Sequence, residues 1–130
     1  MDGTGPWTVA RFFEGCPAGY DIYRAVERMA SGIGPMEVRI TKSQVSFRRR
    51  RGFAYLWRPG TYVKSLVPVV LSLALPYEAA SPRFKEIAHP SPGVWMHHLE
   101  LLDSSQLDGE VAGWMRQAYE GAGSDTSRAG

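Results

Sequence analysis

Residues 39–57 read RITKSQVSFRRRRGFAYLW, and the way this stretch divides into strands decides the fold. Apolar and polar residues alternate on both sides of four consecutive arginines, Arg48 to Arg51. A period of two belongs to a β-strand with one buried face, so two strands joined at the arginines are predicted. Gly52 suits the left-handed position of a three-residue hairpin loop. That closure sets Arg49 opposite Phe53, Phe47 opposite Tyr55 and Val45 opposite Trp57. A tight turn at Lys42-Ser43 adds a third strand, with Ile40 opposite Val45 and Val38 opposite Phe47, although Lys-Ser is not a favoured turn pair. In this register one face carries Val38, Ile40, Val45, Phe47, Tyr55 and Trp57. The other carries Glu37, Arg39, Thr41, Gln44, Ser46, Arg48 and Arg58.

Working outward, Val67 to Leu75 is apolar on both parities, as in a central strand or one covered on both sides. Val94 to Leu101 alternates and predicts another strand. The intervening segment, Tyr77 to Gly93, contains Pro82, Pro90 and Pro92. It is expected to be loop, with one helical turn near Arg83 to Ile87. Towards the N-terminus, Thr8 can cap a short helix ending at Gly15. Pro17 then opens a longer helix, with Ile22, Val26, Met29 and Ala30 on one stripe and Gly32 as its C-cap. At the other end Ser104 or Ser105 is expected to cap a helix. Leu107, Val111, Trp114, Met115 and Ala118 form its apolar stripe, and Gly121 ends it. Strands flanked by helices predict an α+β fold: one mostly antiparallel sheet of about five strands, with N-terminal and C-terminal helices on one face. A length of 130 residues fits a single domain over residues 1–130, its core about 7–121, with residues 1–6 and 122–130 flexible.

With 44% hydrophobic and 22% charged residues, the composition is that of an ordinary globular protein. The net charge is only +2, so the basic character is local to Arg39, Lys42, the four arginines and Arg58. The single cysteine, Cys16, excludes an intrachain disulfide and fits a reducing cytoplasm. The N-terminus lacks a secretory pattern, and the longest apolar run, Leu66 to Leu75, is too short to span a bilayer. A cytoplasmic protein without membrane attachment is therefore expected. No phosphate-cradling glycine loop, dinucleotide fingerprint or serine-elbow motif is present. No cluster of His, Cys, Asp and Glu has metal-ligand spacing, so neither a metal nor another cofactor is expected.

Four separated segments, VRITKSQVSFRRRRGFAYLWRPG, SPRFKEI, PGVWMHHLEL and DGEVAGWMRQAYE, together resemble the bacterial family called domain of unknown function 5655. The resemblance runs from about Trp7 to Gly121. More distantly the chain resembles the YdhG-like small α+β domains. Both imply a single-sheet fold, and neither brings catalytic residues or a cofactor. Iron handling, linked to some YdhG-like proteins, would favour an acidic surface and is not carried over to this basic one.

Chemistry must then be sought in the residues themselves. Guanidinium groups fork onto carboxylates and phosphates. Arg39, Lys42, Arg48 and Arg58, with Gln44 and Ser46 as hydrogen-bonding groups, are the candidate ligand-binding set on the polar face. His97 and His98 point to opposite faces, so they cannot chelate one metal from a regular strand. His97 lies with Trp95 and Leu99 on the core side. His98 shares its face with Glu100, and this pair is the candidate acid/base machinery, a carboxylate near an imidazole fixing its tautomer and raising its basicity. The expected function is binding of an anionic small molecule on a basic sheet face, with isomerase- or cyclase-like proton transfer if there is turnover. The alternative is a nucleic-acid-binding module that uses the arginine hairpin, whose grip would weaken with salt. Homodimerisation through an exposed sheet edge is a third expectation.

Overall fold

In a computed structural model, which describes residues 7–61 and 65–123, six strands form one sheet. They are β1 (Glu37–Ile40), β2 (Val45–Arg48), β3 (Gly52–Trp57), β4 (Val69–Leu75), β5 (Glu86–Ser91) and β6 (Val94–Leu101), in the order β1-β2-β3-β4-β6-β5. Every neighbouring pair is antiparallel. Three helices accompany them: α1 (Val9–Phe12), α2 (Pro17–Ile33) and α3 (Gly109–Gly123). The α+β expectation holds, with one strand more than the sequence predicted. Of residues 1–6 and 122–130, expected to be flexible, 1–6 and 124–130 lie outside the described residues, while Ala122 and Gly123 continue α3 past the Gly121 expected to end it.

The first hairpin has the predicted register, Ile40 opposite Val45 and Val38 opposite Phe47. Its turn owes little to Lys42 and Ser43. Thr41 Oγ1 accepts from the backbone N–H groups of Ser43 and Gln44, both at 3.3 Å, while Thr41 N donates to Gln44 O at 3.0 Å. A threonine hydroxyl thus supplies the turn chemistry that Lys-Ser lacks.

The second hairpin differs from the prediction. Phe47 faces Ala54, Val45 faces Leu56 and Arg48 faces Gly52, with a β-bulge where the register shifts beside Arg48. The loop is therefore Arg49–Arg51. Gly52 is not left-handed: among the described residues positive φ occurs at Gly15 and Gly93. Phe53 is the extra residue of the bulge. It is fully buried, with its ring edge-on to Tyr119 of α3 at 5.4 Å. One added residue reverses which side chains face the core. Ala54 and Leu56 are wholly buried, and Tyr55 and Trp57 move to the opposite face, which the sequence had reserved for polar groups.

Residues expected to be loop supply the sixth strand. β5 pairs with β6 through Glu86–His98, Ile87–His97 and Ala88–Met96, and is irregular between Ala88 and Ser91, where Pro90 stands. Proline is tolerated because β5 is an edge strand. Pro92-Gly93 closes the hairpin, Gly93 at φ 81°, the conformation that position three of a type II turn demands. The helix ends also shift slightly. α2 runs one residue past Gly32, and Gly34 follows it in extended backbone. Ser104 and Ser105 lie in a short 3₁₀ turn, while Asp108 caps α3 by accepting from Val111 N at 3.2 Å.

Both long helices pack on the face that carries Phe47. Tyr23 of α2 stacks on Phe47 at 6.0 Å, and α3 crosses β3 and β4. Val45, Phe47, Leu56, Leu71, Leu73, Leu99 and Leu101 from the sheet meet Ile22, Val26, Val111, Met115 and Ala118 from the helices. Arg83, from the β4–β5 connection, donates to both carboxylate oxygens of Asp108 at 3.1 Å, to Glu110 at 2.9 Å and to Gln106 O at 2.9 Å. The Val111 N–H and then Arg83 hold the Asp108 carboxyl below its usual range. That cluster fixes where α3 begins. Because Phe47 is fully buried under Tyr23, Phe47→Ala should lower the unfolding free energy by about 3–5 kcal/mol in urea titrations.

Candidate functional site

Neither α2 nor α3 covers the other face of the sheet, and there the strands build a row. Arg39, Ser46, Tyr55, Ser72, His98 and Glu86 stand side by side, one from each strand in sheet order. The next row holds Trp57, Val70 and Glu100. Gln44, Tyr55, Trp57, Ser72, Met96 and His98 line an open cavity of about 290 Å³. The sequence reading of β4 as covered on both sides is explained here. Val70 and Ser72 are 4% and 3% exposed, though neither long helix lies over them; they sit between the larger side chains of β3 and β6.

At the floor of the cavity three side chains are hydrogen-bonded in series. Trp57 Nε1–H donates to Ser72 Oγ at 3.0 Å, and Ser72 Oγ lies 2.6 Å from His98 Nδ1. An indole nitrogen can only donate, so Ser72 accepts from Trp57. The buried serine proton then needs an acceptor, and the partner in reach is Nδ1. The neutral ring of His98 consequently carries its proton on Nε2, the nitrogen left for a ligand. Burial holds the imidazole pKa below 6.5, with Glu86 across the strand pair opposing this and His97 adding to it. His98 thus presents a neutral N–H donor beside an indole whose ring stands edge-on at 6.2 Å.

The predicted site residues are dispersed around this centre. Gln44 and His98 line the cavity. Arg48 is half-buried on β2, and no hydrogen bond or ion pair is found for its guanidinium among the described residues. Arg39 is exposed and 3.8 Å from Glu37. Ser46 is buried, its hydroxyl donating to Arg39 O at 3.3 Å. Lys42 is exposed at the tip of the first hairpin. Arg58 turns away from the sheet and donates to Phe12 O at 3.0 Å and Glu14 O at 3.4 Å. Glu100 lies two residues along β6 from His98, on the same face and about 7 Å away by strand geometry. The carboxylate directly opposite His98 is Glu86.

His97, on the opposite side, is completely buried. Its Nε2 accepts from Ala79 N at 2.9 Å and its Nδ1 lies 2.9 Å from Trp95 O, which fixes the Nδ1–H tautomer. It is a structural histidine. His89 stacks on Trp95 at 3.9 Å. Among the described residues no group of three or more His, Cys, Asp or Glu could hold a metal ion, and no helix is long and apolar enough to cross a membrane.

The tip arginines serve α3. Arg49 lies over the Tyr119 ring at 4.3 Å and donates to Tyr119 O at 3.3 Å, and Arg51 donates to Gly121 O at 2.8 Å. Cations at the carbonyl end of a helix satisfy acceptors that the helix leaves open.

A family model described as "Domain of unknown function (DUF5655)" matches residues 10–122. The chain belongs to the DUF5655 family. No curated protein and no solved structure matches it. The span of DUF5655 includes all six strands, α2, α3 up to Ala122 and every residue of the Trp57–Ser72–His98 series.

Sequence reasoning missed Tyr55, Trp57, Ser72, Met96 and Glu86. Two signals were present. Ser72 is the one polar residue in VVLSLAL, and in FAYLW the purely aliphatic residues, Ala54 and Leu56, share one parity. In nitrogen-detected NMR, His98 should show an unprotonated Nδ1, and Ser72→Ala should release the ring to a mixture of tautomers. Because the folded pKa lies below the unfolded one, the folded state binds fewer protons between the two values. The His98 contribution is therefore complete above pH 6.5 and is lost as pH falls through the folded pKa. Urea midpoints measured across that range should show the decline, reduced in His98→Gln. Replacing Arg49 and Arg51 together by Ala should cost about 1 kcal/mol and speed amide hydrogen exchange in the last turn of α3.

Proposed function

We propose that the open sheet face binds a small planar anion, such as an aromatic or unsaturated carboxylate. The observation that carries this reading is the Trp57–Ser72–His98 series, which leaves Nε2 of a pocket-lining imidazole as a neutral donor beside the rings of Tyr55 and Trp57. The planar part of the ligand would lie against Trp57, Tyr55 and Met96, and its oxygen would accept from His98 Nε2. Its charge would lie towards Arg48, a half-buried guanidinium free to form a paired hydrogen bond. Gln44 supplies a further donor at the rim. A cavity of about 290 Å³ sits at the small end of ligand sites.

Any turnover at this site would be proton-transfer chemistry of the isomerase or cyclase kind. A neutral imidazole N–H polarises a carbonyl oxygen without first giving up its proton. Glu100, about 7 Å along the strand, would stand on the far side of a small ligand as the base. The nucleic-acid alternative draws on the arginine hairpin, but Arg49 and Arg51 already bind the carbonyl end of α3.

The test is an NMR titration of the protein with a panel of aromatic and aliphatic carboxylates and phosphates. Shifts should localise to Tyr55, Trp57, Ser72, Met96 and His98. Arg48→Ala and His98→Gln should each weaken binding by roughly tenfold, the size of one charge-assisted hydrogen bond. A panel that leaves this face unperturbed, or an affinity indifferent to both substitutions, would count against the proposal.

A further inference from the structure

The two edges of the sheet are unlike. β5 closes one edge with an irregular pairing and Pro90, devices that discourage another strand from adding. β1 forms the other edge and has neither. Its sequence Glu-Val-Arg-Ile is free of proline, its pairing with β2 is regular, and Trp7, Thr8 and Val9 form with its four residues a groove of about 440 Å³.

The direction of the free backbone groups follows from the first hairpin. Thr41 and Gln44 are hydrogen-bonded, and such pairs alternate along an antiparallel ladder. Arg39–Ser46 and Glu37–Arg48 are then the bonded pairs. The N–H and C=O of Val38 and Ile40 consequently point outward from the edge.

An outward-pointing Val38 can exchange both backbone bonds with Val38 of a second copy. In that antiparallel register, residue numbers opposite one another sum to a constant, so Glu37 of each copy faces Arg39 of the other. Ile40 faces Met36. Glu37 and Arg39 already lie 3.8 Å apart within one strand and are exposed; pairing would bring four charges of alternating sign together. They would occupy a non-hydrogen-bonded position, where facing side chains approach most closely. From this self-complementarity we infer that the β1 edge is the interface of a two-fold symmetric dimer with a continuous twelve-stranded sheet. The symmetry axis stands perpendicular to the sheet beside Val38, so the two open faces lie on the same side. This inference does not depend on what the open face binds.

Light scattering and sedimentation over a concentration series test it. The wild-type chain should dimerise. Glu37→Arg and Arg39→Glu, each placing like charges opposite one another twice, should raise the dimer dissociation constant roughly tenfold or more. The double exchange Glu37→Arg/Arg39→Glu should restore the dimer, a rescue that a folding defect could not produce. Val38→Pro removes an outward N–H, leaves the β2 ladder intact, and should yield a folded monomer. A wild-type chain that stays monomeric at its highest soluble concentration would overturn the inference. So would a dimer indifferent to Val38→Pro and the charge reversals, or a monomer that takes up extended peptides at this edge.

Discussion

One extra residue in β3 governs the arrangement of this protein. With Phe53 and Ala54 both directed inward, α3 gains an aromatic contact through Tyr119, and every residue beyond them in β3 exchanges faces relative to an uninterrupted hairpin. Leu56 fills the core, and Trp57 takes its place on the outer face. Without that shift Trp57 could not reach Ser72, and Ser72 would be a buried hydroxyl with a single partner. The bulge therefore connects packing under α3 to the tautomer of His98 on the other side of the sheet.

Much of the architecture was legible in the chain because it depends on periodicity. The regular alternation of Val94 to Leu101, the helical stripes of α2 and α3, and the first hairpin's register all follow from where apolar residues recur. The second hairpin was not legible, because two closures one residue apart both satisfy the pattern RRRRGF. Tertiary packing of Phe53 against Tyr119 goes with the bulged one. β5 escaped notice for a different reason: its pairing along β6 is irregular and contains Pro90, which sequence rules treat as a breaker.

The candidate site was only partly legible. His98 on the open face and His97 in the core follow from strand parity. The contributions of Trp57 and Ser72 required knowing which strands are neighbours, information that lies in long-range pairing and not in spacing along the chain. The arginine run shows the same distinction. As sequence, it is a block of charge that invites a polyanion. In the fold its members diverge: Arg48 lies on the outer face, while Arg49 and Arg51 reach α3 and satisfy its final carbonyls. Contiguity in sequence is no guide to shared purpose when a tight loop redirects each successive side chain.

The position of α3 in the chain has a bearing on how the protein comes to be folded. Consecutive hairpins can assemble β1 to β4 from local contacts as the chain is made. The inner side of β3 and β4, with Leu56, Leu71 and Leu73, is nonetheless roofed by a helix that follows all six strands. Until synthesis has passed Gly123, that surface is bare apolar sheet. Arg83, paired with Asp108 and Glu110, and the hairpin arginines, bonded to the far end of α3, hold the two ends of a helix whose middle packs on the sheet through Val111, Met115 and Tyr119. The fold is thus completed by α3, and a chain interrupted before it would present a sticky, half-covered sheet instead of a smaller version of the same fold.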